Sequence, residues 1–134
     1  MPLNTEKYRR FQEECPNDIS WLKREHVIMR EEGSGTRKEA EKQLRSAGVN
    51  MVDLEIIASI ENQETIKKSV RQGIGVSILS RLAATDEAKA GQMLIFPIPG
   101  ADEGRDINVV YNRNYQLSRS AERFIKIVKE VYEV

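Results

Sequence analysis

Cysteine and histidine are almost missing from this chain, with one of each, Cys15 and His26, in 134 residues. A lone cysteine cannot close a disulfide within the chain, and one thiol with one imidazole do not make a zinc-type ligand set. A reducing cytoplasm, no metal and no cofactor are therefore expected. Net charge is missing too. Lys plus Arg number 21 and Asp plus Glu number 21, so no field of one sign draws the whole molecule to nucleic acid or to an anionic membrane. No apolar run approaches the ~20 residues that a bilayer crossing needs, and the first residues hold no apolar signal core.

What is present is a 40% hydrophobic composition, enough for one modest core at this length. Residues 1–25 are polar and interrupted by Pro2 and Pro16, with Tyr8, Phe11, Trp21 and Leu22 as anchors; they read as a lead-in segment. A regular pattern then begins. Val27 to Met29 reads as a strand, Thr36 to Ala47 as a helix with Ala40, Leu44 and Ala47 on one face, and Leu54 to Ile60 as a second strand. Asn62 opens a helix with Ile66 and Val70 inside and Gly73 at its end. Gly75 to Leu79 returns as strand, and Ser80 to Ala90 is weakly helical. Met93 to Ile98 and Ile107 to Tyr111 read as strands, and Ser118 to Tyr132 as a closing amphipathic helix. Strands alternating with helices predict an α/β fold with a largely parallel sheet.

The run Arg30-Glu31-Glu32-Gly33-Ser34-Gly35-Thr36-Arg37 carries the most chemistry. The first N–H groups of a helix lack intrahelical partners and lie at the positive end of its dipole, so Ser34, Gly35 and Thr36 suit a carboxylate, sulfate or phosphate. The same residues also fit plain capping, with Thr36 as cap and Glu39 reaching back to it. Asn62-Gln63-Glu64 repeats the arrangement after the next strand, with Asn62 as helix cap and Gln63 and Glu64 as contributors to a site. Gly73 and Ile74 permit close backbone approach, or serve only as a helix stop. Arg37 either forks onto a ligand carboxylate or pairs with Glu41 at i,i+4.

The order REEGSGTR (30–37), IENQETIKKSVRQGIGVSILS (60–80), a glycine before a strand in GQMLI (91–95), and INVVYNRNYQLSRSAERFI (107–125) resembles the effector-binding domain of LysR-type transcriptional regulators. The resemblance implies a fold similar to type 2 periplasmic binding proteins, two α/β subdomains with an effector held between them. On that mapping residues 26–92 form the complete second subdomain and residues 93–134 the returning part of the first. The winged helix-turn-helix, the linker helix and the opening half of the first subdomain are absent, so the chain resembles a C-terminal fragment of 1–134 as one partial domain.

The implied function is sensing of a small anionic metabolite, through Ser34, Gly35, Thr36, Gln63, Glu64, Gly73 and Ile74, to control DNA binding and transcription by a full-length homo-oligomer, dimer or tetramer. DNA would be a partner only through the missing module, and membranes not at all. The alternative is a solute-binding protein of a transport system with the same fold. An enzyme is not expected: His26 has no catalytic companion, Glu31 and Glu32 project in different directions, and Cys15 lacks an activating context. Met29, Met51 and Met93 read as core fillers. The effector itself is left open, as are the target genes and the sign of regulation.

Overall fold

In the computed structural model, residues 5–14, 17–100 and 108–132 are described. The chain divides into two compact units, residues 1–103 and 104–134. The first holds α1 (Thr5–Glu14), β1 (His26–Arg30), α2 (Gly35–Ser46), β2 (Glu55–Ile60), α3 (Gln63–Arg71), β3 (Val76–Ser77) and α4 (Arg81–Lys89), with short 3-10 turns at Ser20–Arg24 and Met51–Asp53. The second holds α5 (Arg119–Tyr132).

The α/β expectation holds. Among the described residues three strands form a parallel sheet in the order β2-β1-β3. β1 is central, and Val27, Ile28 and Met29 are all buried, as an unbroken apolar run must be when both faces of a parallel strand are covered. β2 alternates instead, with Ile56, Ala58 and Ile60 half-buried and Ile57 outward. Its register against β1 slips between Val27 and Ile28, so Ile57 has no Cα partner there. Leu44 and Ala40 of α2, Val49, Leu54, Leu22 and Ile19 complete the core around β1, and Ile66 of α3 is fully buried.

Two glycines are fixed by backbone geometry. Gly73 ends α3 at φ 77°, the left-handed conformation that a side chain resists. At Gly75 an added Cβ would lie 2.5 Å from the His26 carbonyl oxygen, so β3 can approach the start of β1 only without a side chain there.

Three expectations are corrected. The lead-in segment contains α1, which docks through tertiary contacts that local pattern does not display: Lys7 Nζ and Tyr8 OH both donate to the buried Glu25 carboxylate, the latter over 2.6 Å. The proposed anchors do serve, since Trp21 stacks on Phe11 at 5.2 Å and meets Tyr8 and Phe96 at 5.9 and 5.1 Å. Met93 to Ile98 is not a strand, and neither are residues 108–111; Ile107 lies outside the described residues, as does Cys15. A strand requires a ladder partner, and the Ile95 carbonyl accepts from Gln12 Nε2 instead. The third strand shrinks to two residues for the same reason, since only Val76 and Ser77 pair with β1.

Candidate functional site

Each strand of the sheet runs directly into the start of a helix. β1 leads through residues 31–34 to α2, β2 through residues 61 and 62 to α3, and β3 through residues 78–80 to α4. Because the strands are parallel and in register, with Arg30 beside Ile60 and Ile28 beside Ser77, all three helix starts lie at one edge of the sheet. Ligands of open α/β sheets bind at this edge, beyond the carboxyl ends of the strands.

Capping at the three starts follows one scheme. Ser34 Oγ accepts from the Arg37 N–H at 3.5 Å and its carbonyl from Lys38 at 3.0 Å. Asn62 Oδ1 accepts from Thr65 N–H at 3.1 Å and its carbonyl from Ile66 at 3.2 Å. Ser80 Oγ accepts from Ala83 N–H at 3.3 Å. Caps satisfy the third and fourth donors of a helix and leave its first two. Those are the N–H groups of Gly35 and Thr36, of Gln63 and Glu64, and of Arg81 and Leu82.

The capping box at Thr36 is therefore corrected. Ser34, extended at φ −62° and ψ 135°, is the cap, and Glu39 accepts from Gln43 Nε2 at 3.0 Å rather than turning back. Thr36 lies inside the first turn, its hydroxyl not needed as a cap. Asn62 caps α3 as expected.

Two of the acids at this edge, Glu31 and Glu64, are matched by cations, whereas Glu32 and Glu61 form no ion pair among the described residues. Arg30 donates to Glu31 from Nε and Nη2 at 3.1 and 3.2 Å, and these bonds hold the Glu31 carboxyl below the usual carboxylate range. Glu64 lies 3.0 Å from Lys67 Nζ. Arg37 pairs with Glu41 at 3.3 Å, the i,i+4 alternative, and does more besides: its Nη1 donates to the Arg30 carbonyl at 3.0 Å and to Ser59 Oγ at 3.1 Å. Arg37 thus ties the ends of β1 and β2 to α2, an assignment that periodicity could not supply because it crosses two strands.

Of the sequence-predicted residues, the structure gathers Ser34, Gly35, Thr36, Gln63 and Glu64 at the shared edge. It does not bring Gly73 and Ile74 there. They precede β3 at the end where Gly75 meets the His26 carbonyl, the opposite edge, a strand length or roughly 16 Å away at 3.3 Å per residue. The topology demands this, since a helix that starts at one edge of a parallel sheet must return to the other before the next strand. Ser80 is the member the sequence reading missed; its signal was present, a hydroxyl residue following an apolar strand, as at Ser34. His26 is exposed and lies 3.6 Å from Glu55. Among the described residues no group of three or more His, Cys, Asp or Glu is placed to hold a metal ion, and no helix is long and apolar enough to cross a membrane.

A second concavity, about 390 Å³ in volume, runs beside β3. Residues 75–81 line one side and residues 91–98 the other, with Tyr8 and Trp21 contributing from the N-terminal part. Met93 stands in this wall rather than in the core, whereas Met29 is fully buried.

Comparison with known proteins fits this architecture. The LysR substrate binding domain family matches residues 7–133. An uncharacterised HTH-type transcriptional regulator of Methanocaldococcus jannaschii is 31% identical over 81% of this chain and 36% of its own length. The HTH-type transcriptional regulator CbbR of Rhodospirillum rubrum is 34% identical over 81% of this chain and 35% of its own. The HTH-type transcriptional activator CmpR of Synechocystis is 32% identical over 78% of this chain and 33% of its own. The chain therefore spans about a third of the length of the curated relatives it matches. With a parallel α/β sheet whose helix starts share one edge, and a family match from residue 7 to residue 133, the chain belongs to the LysR substrate-binding domain family.

Proposed function

We propose that this chain is the ligand-sensing part of a LysR-type transcriptional regulator, and that it holds a small anionic metabolite against the helix starts of α2 and α3. The observation that carries the reading is the pair of uncommitted N–H groups at each of these starts, set side by side because β1 and β2 are adjacent and parallel. Two positive dipole ends and four N–H donors favour an anion, and Thr36 and Gln63 add side-chain donors for its remaining oxygens. Ion pairing of Glu31 and Glu64 offsets the repulsion of those two carboxylates.

In this reading residues 26–92 form one subdomain and residues 93–134 the returning part of another, and the ligand lies in a cleft between the two. DNA is engaged through a separate module of the full-length, cytoplasmic homo-oligomer. The relatives are transcriptional regulators, which favours sensing over service to a transporter and over catalysis.

Calorimetry with sulfate, phosphate and a series of small carboxylates tests the site. Thr36→Val should weaken the binding of whichever anion binds best by ~1–3 kcal/mol, the range for losing a hydrogen bond to a charged group. Unchanged affinity in that variant would place the anion elsewhere.

A further inference from the structure

We propose that the cavity beside β3 is a second ligand site, separate from the helix starts of α2 and α3, and that it takes a small amphiphile with one anionic head and an apolar body, such as a medium-chain carboxylate. Its volume of about 390 Å³ falls within the ~300–1,000 Å³ of small-molecule pockets. The walls are mostly apolar, with Ile78, Leu79, Leu94 and Phe96 among them. None of these four is fully buried, whereas Val27, Ile28 and Met29 of β1 are. Apolar surface is therefore left for a ligand to cover.

The charge pattern chooses the head group. Among the described residues that line it, only Arg9 and Arg81 are charged, and no carboxylate joins them. Arg30, Arg37 and Lys67, half-buried or buried cations of this unit, are committed to Glu31, Glu41 and Glu87 and do not line the cavity. Arg9 and Arg81 form no ion pair among the described residues, and both are exposed, so they stand where the cavity meets solvent. A guanidinium fork binds a carboxylate through paired N–H donors while its head stays hydrated. An anion with an apolar tail satisfies both halves of this surface at once; a cationic or uncharged amphiphile satisfies only one.

The chain's single tryptophan, Trp21, is a wall residue, so its emission reports occupancy directly. Trp fluorescence titrations with octanoate, decanoate and dodecanoate, against dodecanol and dodecylammonium, all below their micelle concentrations, decide the proposal. Saturable binding of one equivalent is expected, with affinity rising about fourfold per methylene until the cavity is full. The carboxylate should bind best, and Arg9→Gln and Arg81→Gln should each weaken it about tenfold with the melting temperature unchanged. Ala84→Phe, which fills the cavity, should abolish it; should that variant not fold, the two arginine variants alone decide.

Thr36→Val should leave dodecanoate binding intact, which separates this site from the helix starts of α2 and α3. Equal affinity for carboxylate, alcohol and amine would overturn the proposal, as would multiple equivalents without saturation. Loss of dodecanoate binding in Thr36→Val would place the amphiphile at the other site. An extended apolar peptide that displaces dodecanoate, with no dependence on Arg9 or Arg81, would assign the cavity to a protein partner and equally overturn it.

Discussion

At the scale of single residues, Ser34 and Thr36 separate two roles that the sequence superimposes. Both are hydroxyl residues at the head of α2, and the spacing from Thr36 to Glu39 satisfies the capping-box pattern. Extended backbone at Ser34 decides the matter: only the residue outside the helix can turn its side chain back onto the third N–H, and that residue is Ser34. Ser34→Ala should therefore lower stability by about 1 kcal/mol, the usual cost of a lost cap. Thr36→Val, by contrast, should change stability by less than ~0.5 kcal/mol, as expected of a position with no cap to lose. Chemical denaturation of the two variants checks this, and a larger loss in Thr36→Val would return the cap to Thr36.

At the scale of elements, what local sequence encodes was readable and what nonlocal pairing creates was not. β1, β2, α2 and α3 follow from apolar period and end residues, and each emerged within a residue or two of its expected bounds. α1 did not, because the burial of the Glu25 carboxylate beneath Lys7 and Tyr8 links residues that no periodicity connects. Met93 to Ile98 failed in the opposite direction: its composition suits a strand, but a strand exists only with a neighbour. For the site, the two helix starts were legible because both caps are local, whereas the exclusion of Gly73 and Ile74 needed the strand direction.

The contact of α3 with α4 belongs to this scale as well. Lys67 is buried on α3, and its Nζ reaches Glu87 at 2.5 Å, Glu64 at 3.0 Å and the Ala83 carbonyl at 3.0 Å. The bond to Glu87 raises the lysine pKa above its ordinary 10.5, and the same bond holds Glu87 below its ordinary 4.5. Since the Glu87 value is depressed on folding, its contribution is present above pH 4.5 and is lost as pH falls through the folded value; the lysine contribution is present below 10.5 and fades above it. The difference in melting temperature between the native chain and Glu87→Gln should therefore be widest near neutrality and shrink as pH is lowered from 6 toward 3. A difference that stays constant across that range would show that Glu87 acts by packing alone.

At the scale of the whole molecule, the smaller unit poses the sharpest question. α5 begins cleanly, with Ser118 Oγ accepting from the Ala121 N–H at 3.1 Å, and its sequence sets Ala121, Phe124, Ile125, Val128 and Val131 on one stripe. Yet no residue of α5 is buried, and Phe124 and Val131 remain 59% and 65% exposed. A 14-residue helix of this kind draws little stability from propensity alone and relies on covering its apolar face. Val110 and Tyr111 add to the exposed apolar surface of the same unit. Exposed apolar surface of this kind drives association, and a second copy is the partner always present at equal concentration. Sedimentation velocity across micromolar concentrations should thus show a species that grows with concentration, and Phe124→Lys with Val131→Lys should shift it toward monomer while far-ultraviolet circular dichroism of the remainder holds. A monodisperse monomer whose α5 amides are strongly protected from hydrogen exchange would mean that the chain covers this helix by itself, and that the exposed stripe is not an association surface.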